Sequence, residues 1–289
     1  MPARTPRSWA ALLVPALLSS TVGCGAVDGG SSGQQHAGPM TRTATAAPAP
    51  GASSTSLGMA PPPVGEATLS PAIQKKTVLV VGDSWAGYFG DGMSKVASDK
   101  NVIVNGGLGG CGIMLPDTIA GKKPTPACLE WPEKWPEYME KYQPDAVLLR
   151  TAHWDSTPQS FDGKGVDLSI EHPAFRKRFD KNMALAIKIL TRNNTPVFLT
   201  NMPIARSDWR NRSLKMNQAV QEIAERYQNR GVRLLDLNAQ LCNDNGCPEV
   251  LQGHALYDET HHPADWSRDR LAKWILNSMF AKNAAETRP

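Results

Sequence analysis

Beyond residue 70 the chain alternates short apolar runs with longer segments whose apolar positions recur every three or four residues. Val78, Leu79, Val80 and Val81 form the first run, between Thr77 and Gly82. A β-branched run without polar alternation predicts a strand buried on both faces, as in a parallel sheet covered by helices. Similar runs follow at 101–105, 145–150, 196–200 and 232–237. The intervening segments predict helices over 85–98, 128–142, 172–193 and 211–229, and a last helix over 263–280. In the 172–193 segment Phe175, Phe179, Met183, Ala186 and Leu190 share one face. Pro132 and Pro263 fall in first turns, where a missing N–H is harmless, whereas Pro136 is expected to shorten or kink its helix.

Five strands, each followed by a helix, predict an α/β fold: a three-layer α/β/α sandwich with a five-stranded parallel sheet and right-handed crossovers. In such sheets the chemistry lies beyond the carboxyl ends of the strands. That rim collects Ser84 and the segments 106–112, 151–155, 201–206 and 238–262.

The first seventy residues break the pattern. Arg4 and Arg7 precede an apolar stretch from Trp9 to Leu18, and small residues lead to Cys24. Residues 1–23 read as a secretory signal, too short to span a bilayer, which takes about twenty apolar residues. Thr21-Val-Gly-Cys24 resembles a bacterial lipobox with Thr21 where leucine is usual, so Cys24 is the expected lipidation site; a plain cleavable signal stays open. Residues 24–70 are rich in Gly, Ser, Ala, Thr and Pro and predict a disordered tether. One domain is expected at 71–289, about 215 residues and enough for a well-buried core.

Charge then narrows the partners. The chain has 31 Lys and Arg against 27 Asp and Glu, and 28 against 25 remain after residue 70. A domain so close to neutral lacks the basic stripe that nucleic acid requires. With Cys24 set apart, Cys111, Cys128, Cys242 and Cys247 form an even set. In an exported protein that suggests two disulfides; three pairings exist, and proximity favours Cys111 with Cys128 and Cys242 with Cys247. A zinc site from Cys242, Cys247 and His254 is the rival reading, without a second Cys pair nearby.

Gly82-Asp83-Ser84 directly follows the first strand and opens a helix. A serine there has its hydroxyl on the rim beside free helix N–H groups, which suits a nucleophile with a built-in oxyanion donor. A helix-capping serine is the plainer alternative. Asp258-Glu-Thr-His261 precedes the last helix and supplies a carboxylate and a base. Spacing favours His261 over His262 as the base.

On these residues the chain resembles the SGNH (GDSL-type) hydrolase superfamily across about 75–282. The first block is Gly82-Asp83-Ser84, the second is Asn105-Gly-Gly107-Leu-Gly-Gly110, and the fifth is Asp258 to His261. The resemblance implies a flavodoxin-like SGNH fold, a Ser84–His261–Asp258 triad, and an oxyanion hole from the amides of Ser84 and Gly110. The family's third block, Gly-x-Asn-Asp, is replaced here by Arg150-Thr-Ala-His153-Trp154-Asp155. Losing one oxyanion donor costs about 10²–10³ in rate, unless His153 or a backbone amide substitutes. Gly110-Cys111, Cys128-Leu-Glu-Trp131 and Trp154 are similar to SGNH domains attached to membrane acyltransferases of envelope polysaccharides, which supports pairing Cys111 with Cys128.

The implied activity is ester hydrolysis in the bacterial cell envelope, on an acylated carbohydrate or small ester, without a cofactor. A Cys24 lipid would hold the protein at the membrane. O-acyl transfer is the alternative, and would need a separate membrane acyltransferase as partner. His153 and Trp154 are the candidate substrate contacts. Two other classes stay open: metal-dependent hydrolysis through His254, Asp258, His261 and His262, and non-catalytic glycan binding by Trp85, Trp154, Trp209 and Trp266.

Overall fold

The computed structural model describes residues 68–280 except 72, 152, 205–208 and 243–245. The expected signal, the Cys24 anchor and the tether before residue 68 lie outside the described residues. Strands β1 (Thr77–Gly82), β2 (Val102–Gly107), β3 (Ala146–Arg150), β4 (Val197–Thr200) and β5 (Val232–Leu235) form one sheet in the order β2-β1-β3-β4-β5. Every pairing is parallel, with Val78 opposite Ala146 and Val147 opposite Val197. The main helices are α1 (Ser84–Val96), α2 (Trp131–Tyr142), α3 (Pro173–Leu190), α4 (Arg210–Arg226) and α5 (Asp265–Phe280).

The central strands β1, β3 and β4 read as unbroken apolar runs because both faces are covered. Leu79, Val81, Val147, Leu149, Val197 and Leu199 pack into one core with residues of α2, α3 and α4. The alternate positions Val78, Val80, Ala146, Leu148 and Phe198 pack with α1 and α5 in a second core. This is the expected three-layer sandwich.

Three departures from the sequence reading are local. The 128–142 segment divides at Glu130 into a short helix, Pro126–Leu129, and α2, which runs through Pro136. Two-residue strands at Thr118–Ile119, Gln159–Ser160 and Asp167–Leu168 make a small antiparallel sheet, and Val250–Leu251 pairs with His254–Ala255. The fold also reaches back past residue 71: Asn277 of α5 accepts from the Ser70 N–H at 2.9 Å and donates to the Thr68 carbonyl at 3.1 Å. No helix among the described residues is long and apolar enough to cross a membrane.

The strand order reverses between β1 and β3, where open α/β sheets form their crevice. Gly82 ends β1 there with φ +131°, and a Cβ on it would lie 1.9 Å from the Arg150 carbonyl oxygen. Only glycine lets the chain leave β1 this close to β3 and turn directly into α1.

Candidate active site

Ser84 is the first residue of α1, but it does not cap the helix. Asp83 does, its Oδ1 accepting from the N–H groups of Trp85 at 3.0 Å and Ala86 at 3.3 Å. The Ser84 hydroxyl is therefore available to another partner, and it meets His262 Nε2 at 2.7 Å. The α1 N-terminus also places the positive end of the helix beside Ser84.

The spacing from Asp258 points to His261, whereas the histidine that the structure brings to the Ser84 hydroxyl is His262. A tight turn explains the difference. The Asp258 N–H donates to the His262 carbonyl at 2.8 Å, and the His261 N–H donates to the Asp258 carbonyl at 3.1 Å. Asp258 Oδ1 accepts from the Thr260 N–H at 2.8 Å, the Thr260 hydroxyl at 2.7 Å and the His262 N–H at 3.0 Å. His261 is the left-handed corner of this turn, with φ 61°, and is exposed. His262 is the residue brought back to α1.

The second ring nitrogen of His262 meets the Thr260 hydroxyl at 2.7 Å. Asp258 thus faces His262 across Thr260 instead of touching its ring. Burial alone would raise the Asp258 pKa, but hydrogen bonds from Thr260, the His262 N–H and Tyr88 outweigh it and hold the carboxyl below its ordinary value. Tyr88 lies one turn along α1 from Ser84. Its ring stacks on His262 with centroids 4.5 Å apart and an interplanar angle of 4°, and its hydroxyl donates to Asp258 Oδ2 at 3.3 Å. Neither Tyr88 nor Thr260 stood out in the sequence; the i, i+4 spacing of Ser84 and Tyr88 was the available signal.

Gly110 sits on the loop after β2 with φ 78°. Two ties hold that loop. One is the Cys111–Cys128 disulfide. The other is Asp155, fully buried, whose Oδ1 accepts from the N–H groups of Ile113 at 2.8 Å and Met114 at 3.0 Å. A Cβ on Gly112 would lie 2.2 Å from that oxygen, so glycine at 112 admits the carboxylate. Asn105, from the Asn-x-Gly block, donates to the Gly87 carbonyl at 2.8 Å and Asp91 Oδ1 at 2.9 Å, fastening β2 to α1.

A second group of charges lies under the site. Asp83, Arg150 and Asp155 are at most 2% exposed, yet no ion pair joins them among the described residues. Arg150 donates to the Thr151 carbonyl at 2.8 Å and lies 5.3 Å from the Trp85 ring centroid. Asp83 Oδ2, Asp155 Oδ2 and Arg150 Nε have no hydrogen-bond partner among the described residues. Desolvation raises the Asp83 pKa against the pull of Arg150 and the helix N–H groups. It pushes Asp155 up to about 7, opposed by the Met114 N–H and reinforced by the charge of Asp83. It lowers Arg150, against both carboxylates.

His153 opens a short helix, His153–Ser156, after β3. His153 is exposed, but Trp209 stacks on its ring at 4.8 Å and Trp154 meets it edge-on at 5.6 Å. Desolvation lowers its pKa, with Asp83 pulling upward and Arg150, His262 and His261 adding to the fall. His153 is thus neutral near pH 7 and within the electrostatic reach of His262.

The tryptophans do not form one open platform. Trp85 is buried under Arg150, Trp209 is in contact with His153 and Arg212, and Trp266 with His254 and Arg270. The zinc reading loses its thiolates, because Cys242 and Cys247 are joined to each other. Among the described residues no three His, Cys, Asp or Glu side chains converge as a metal set.

The family described as "SGNH domain (fused to AT3 domains)" matches residues 55–275. No curated protein matches the sequence. Solved structures with a similar course include a GDSL-like lipase from Bacteroides thetaiotaomicron, at 13% identity and TM-score 0.47, covering 71% of this chain and 88% of that one. The periplasmic domain of a Salmonella ser. Paratyphi A lipopolysaccharide acetyltransferase is 15% identical, with TM-score 0.43 and coverage of 71% and 84%. A carbohydrate acetylesterase from Sinorhizobium meliloti is 14% identical, with TM-score 0.47 and coverage of 71% and 98%.

Proposed function

Because the chain belongs to the family of SGNH domains fused to AT3 domains, an ester-acting family, we propose that it is an exported serine esterase that removes short acyl groups from a carbohydrate or small ester. The observation that carries this reading is the 2.7 Å contact between Ser84 Oγ and His262 Nε2 at the carboxyl end of β1. His262 takes the Ser84 proton as Oγ attacks the acyl carbon. The N–H groups of Ser84 and Gly110, with the α1 N-terminus, stabilise the resulting oxyanion. His262 returns the proton to the leaving alkoxide, an acyl-Ser84 ester remains, and water releases it as a carboxylic acid by the same base.

His153 and Trp154 are the proposed substrate contacts, and neutral His153 is the candidate for the absent third oxyanion donor. The structured domain follows the proposed signal, Cys24 anchor and tether. One observation favours a second reading: the matched family is the kind fused to AT3 domains. In that reading a sugar hydroxyl replaces water as acyl acceptor, and a separate membrane acyltransferase supplies the acyl group. Glycan binding without catalysis fits less well, since Trp85 is buried and Trp209 and Trp266 are already in contact with His and Arg side chains.

The test is hydrolysis of a short acyl ester by the full chain. Ser84→Ala and His262→Ala should each lose at least about a thousandfold in kcat, and His261→Ala should stay within about tenfold. Full activity in Ser84→Ala would overturn the serine mechanism. Loss in His261→Ala with activity kept in His262→Ala would make His261 the base. Acyl transfer to an added polysaccharide in preference to water would select the second reading.

A further inference from the structure

We propose that Thr260 is a positioning residue that connects Asp258 to His262 through its hydroxyl and so fixes which nitrogen of His262 faces Ser84. The inference rests on the serine reading above and adds a fourth member to its machinery. Three distances define the chain: Asp258 Oδ1 to Thr260 Oγ1 at 2.7 Å, Thr260 Oγ1 to His262 Nδ1 at 2.7 Å, and His262 Nε2 to Ser84 Oγ at 2.7 Å.

Proton counting gives the direction of each bond. Asp258, with its pKa below the ordinary carboxylate value, is ionised and can only accept. The Thr260 hydroxyl has one hydrogen, and it goes to Asp258. What Thr260 offers to His262 is then a lone pair, so Nδ1 must carry the proton. Nε2 is left unprotonated beside the Ser84 hydroxyl, the form a general base needs. In the usual arrangement a carboxylate selects this tautomer by direct contact. Here the carboxylate is occupied by its own turn, accepting two backbone N–H groups as well as the hydroxyl. The threonine carries its influence the remaining distance.

When His262 becomes protonated it still donates from Nδ1 to Thr260, so the bonds joining Asp258, Thr260 and His262 keep their direction and only the one between Nε2 and Ser84 reverses as the proton moves. Tyr88, stacked on the ring, holds its plane. The titratable groups around His262 are Tyr88 from α1, Asp258 and His261 from its own turn, and His153 from the segment after β3.

The experiment compares Thr260→Val and Thr260→Ser in the full chain. Thr260 is exposed, and valine keeps its shape and its backbone N–H to Asp258 while removing only the hydroxyl. Thr260→Val should lower kcat about 10- to 100-fold with KM within about twofold, less than the ~10⁴ loss when a triad carboxylate that touches its histidine is neutralised. Thr260→Ser should restore most of kcat. Nitrogen-15 NMR of labelled histidine supplies a readout independent of turnover. The neutral His262 ring should carry its proton on Nδ1 in the wild type and in Thr260→Ser, and shift towards Nε2 in Thr260→Val. Unchanged kcat and tautomer in Thr260→Val, with Ser84→Ala inactive, would overturn the relay and leave the serine reading standing. A neutral wild-type ring protonated on Nε2 would overturn it as well. Full activity in Ser84→Ala would instead remove the serine reading, and the relay with it.

Discussion

Replacing Asp155 by asparagine separates what its oxygen holds from what its charge costs. Oδ1 fixes the Ile113 and Met114 N–H groups, and an amide oxygen at the same place can accept both bonds. Asparagine cannot ionise. In the wild type the carboxyl pKa rises from 3.8 to about 7 because the group is buried. Between those values the folded chain holds a proton that the unfolded chain has released, so stability falls as pH rises and the contribution is lost through pH 7. From pH 5 to pH 8 the loss attributable to Asp155 is about 2–3 kcal/mol, a substantial part of a typical 5–15 kcal/mol.

Urea unfolding at pH 5, 6, 7 and 8, with disulfides intact, measures this directly. The wild-type free energy should fall across the series by about 2–3 kcal/mol more than that of Asp155→Asn, with equal m-values. The asparagine variant carries its own penalty of about 1–3 kcal/mol if its buried NH₂ finds no acceptor, but that penalty does not change with pH. The difference in slope is therefore the diagnostic. Parallel curves would show that Asp155 titrates alike in the folded and unfolded chains, and would refute the argument from burial.

Two further substitutions probe the frame around Ser84. Gly82→Ala would place a methyl 1.9 Å from the Arg150 carbonyl oxygen, so it should destabilise the fold by more than about 4 kcal/mol; a Tm within a few degrees of wild type would contradict this. Replacing Cys111 and Cys128 together by serine opens a loop spanning 17 positions and should cost about 3 kcal/mol, against about 2 kcal/mol for Cys242 and Cys247, which are separated by 5. Denaturant midpoints check both values, and equal losses from the two pairs would count against the loop-entropy account.

The centre of the sheet was legible because burial on both faces leaves β1, β3 and β4 as nearly unbroken apolar runs, a signal that neighbours in space do not alter. The two-residue strands were not, since a pair such as Gln159–Ser160 is too short to show any period. Ser84 could be read because the end of a strand and the start of a helix meet in three consecutive residues. Which of His261 and His262 meets Ser84 could not, because it depends on one left-handed residue inside a turn organised by Asp258. Asp155 fell within an expected rim segment, yet its burial is set by the loop that folds over it. Trp85 resembled a rim aromatic and is instead beneath Arg150, since the second residue of α1 points into the layer between helix and sheet.

Ser84 and His262 are 178 positions apart in the chain. The segment bearing His262 is carried by the helix that packs against α1, with Arg268 and Ala272 of α5 lying against Gly92. At about 5–20 residues per second, roughly 10–35 s of synthesis separates the serine from its partner. A chain that stops short of α5 lacks the helix that packs against α1, so the contact between Ser84 and His262 forms only when α5 docks there.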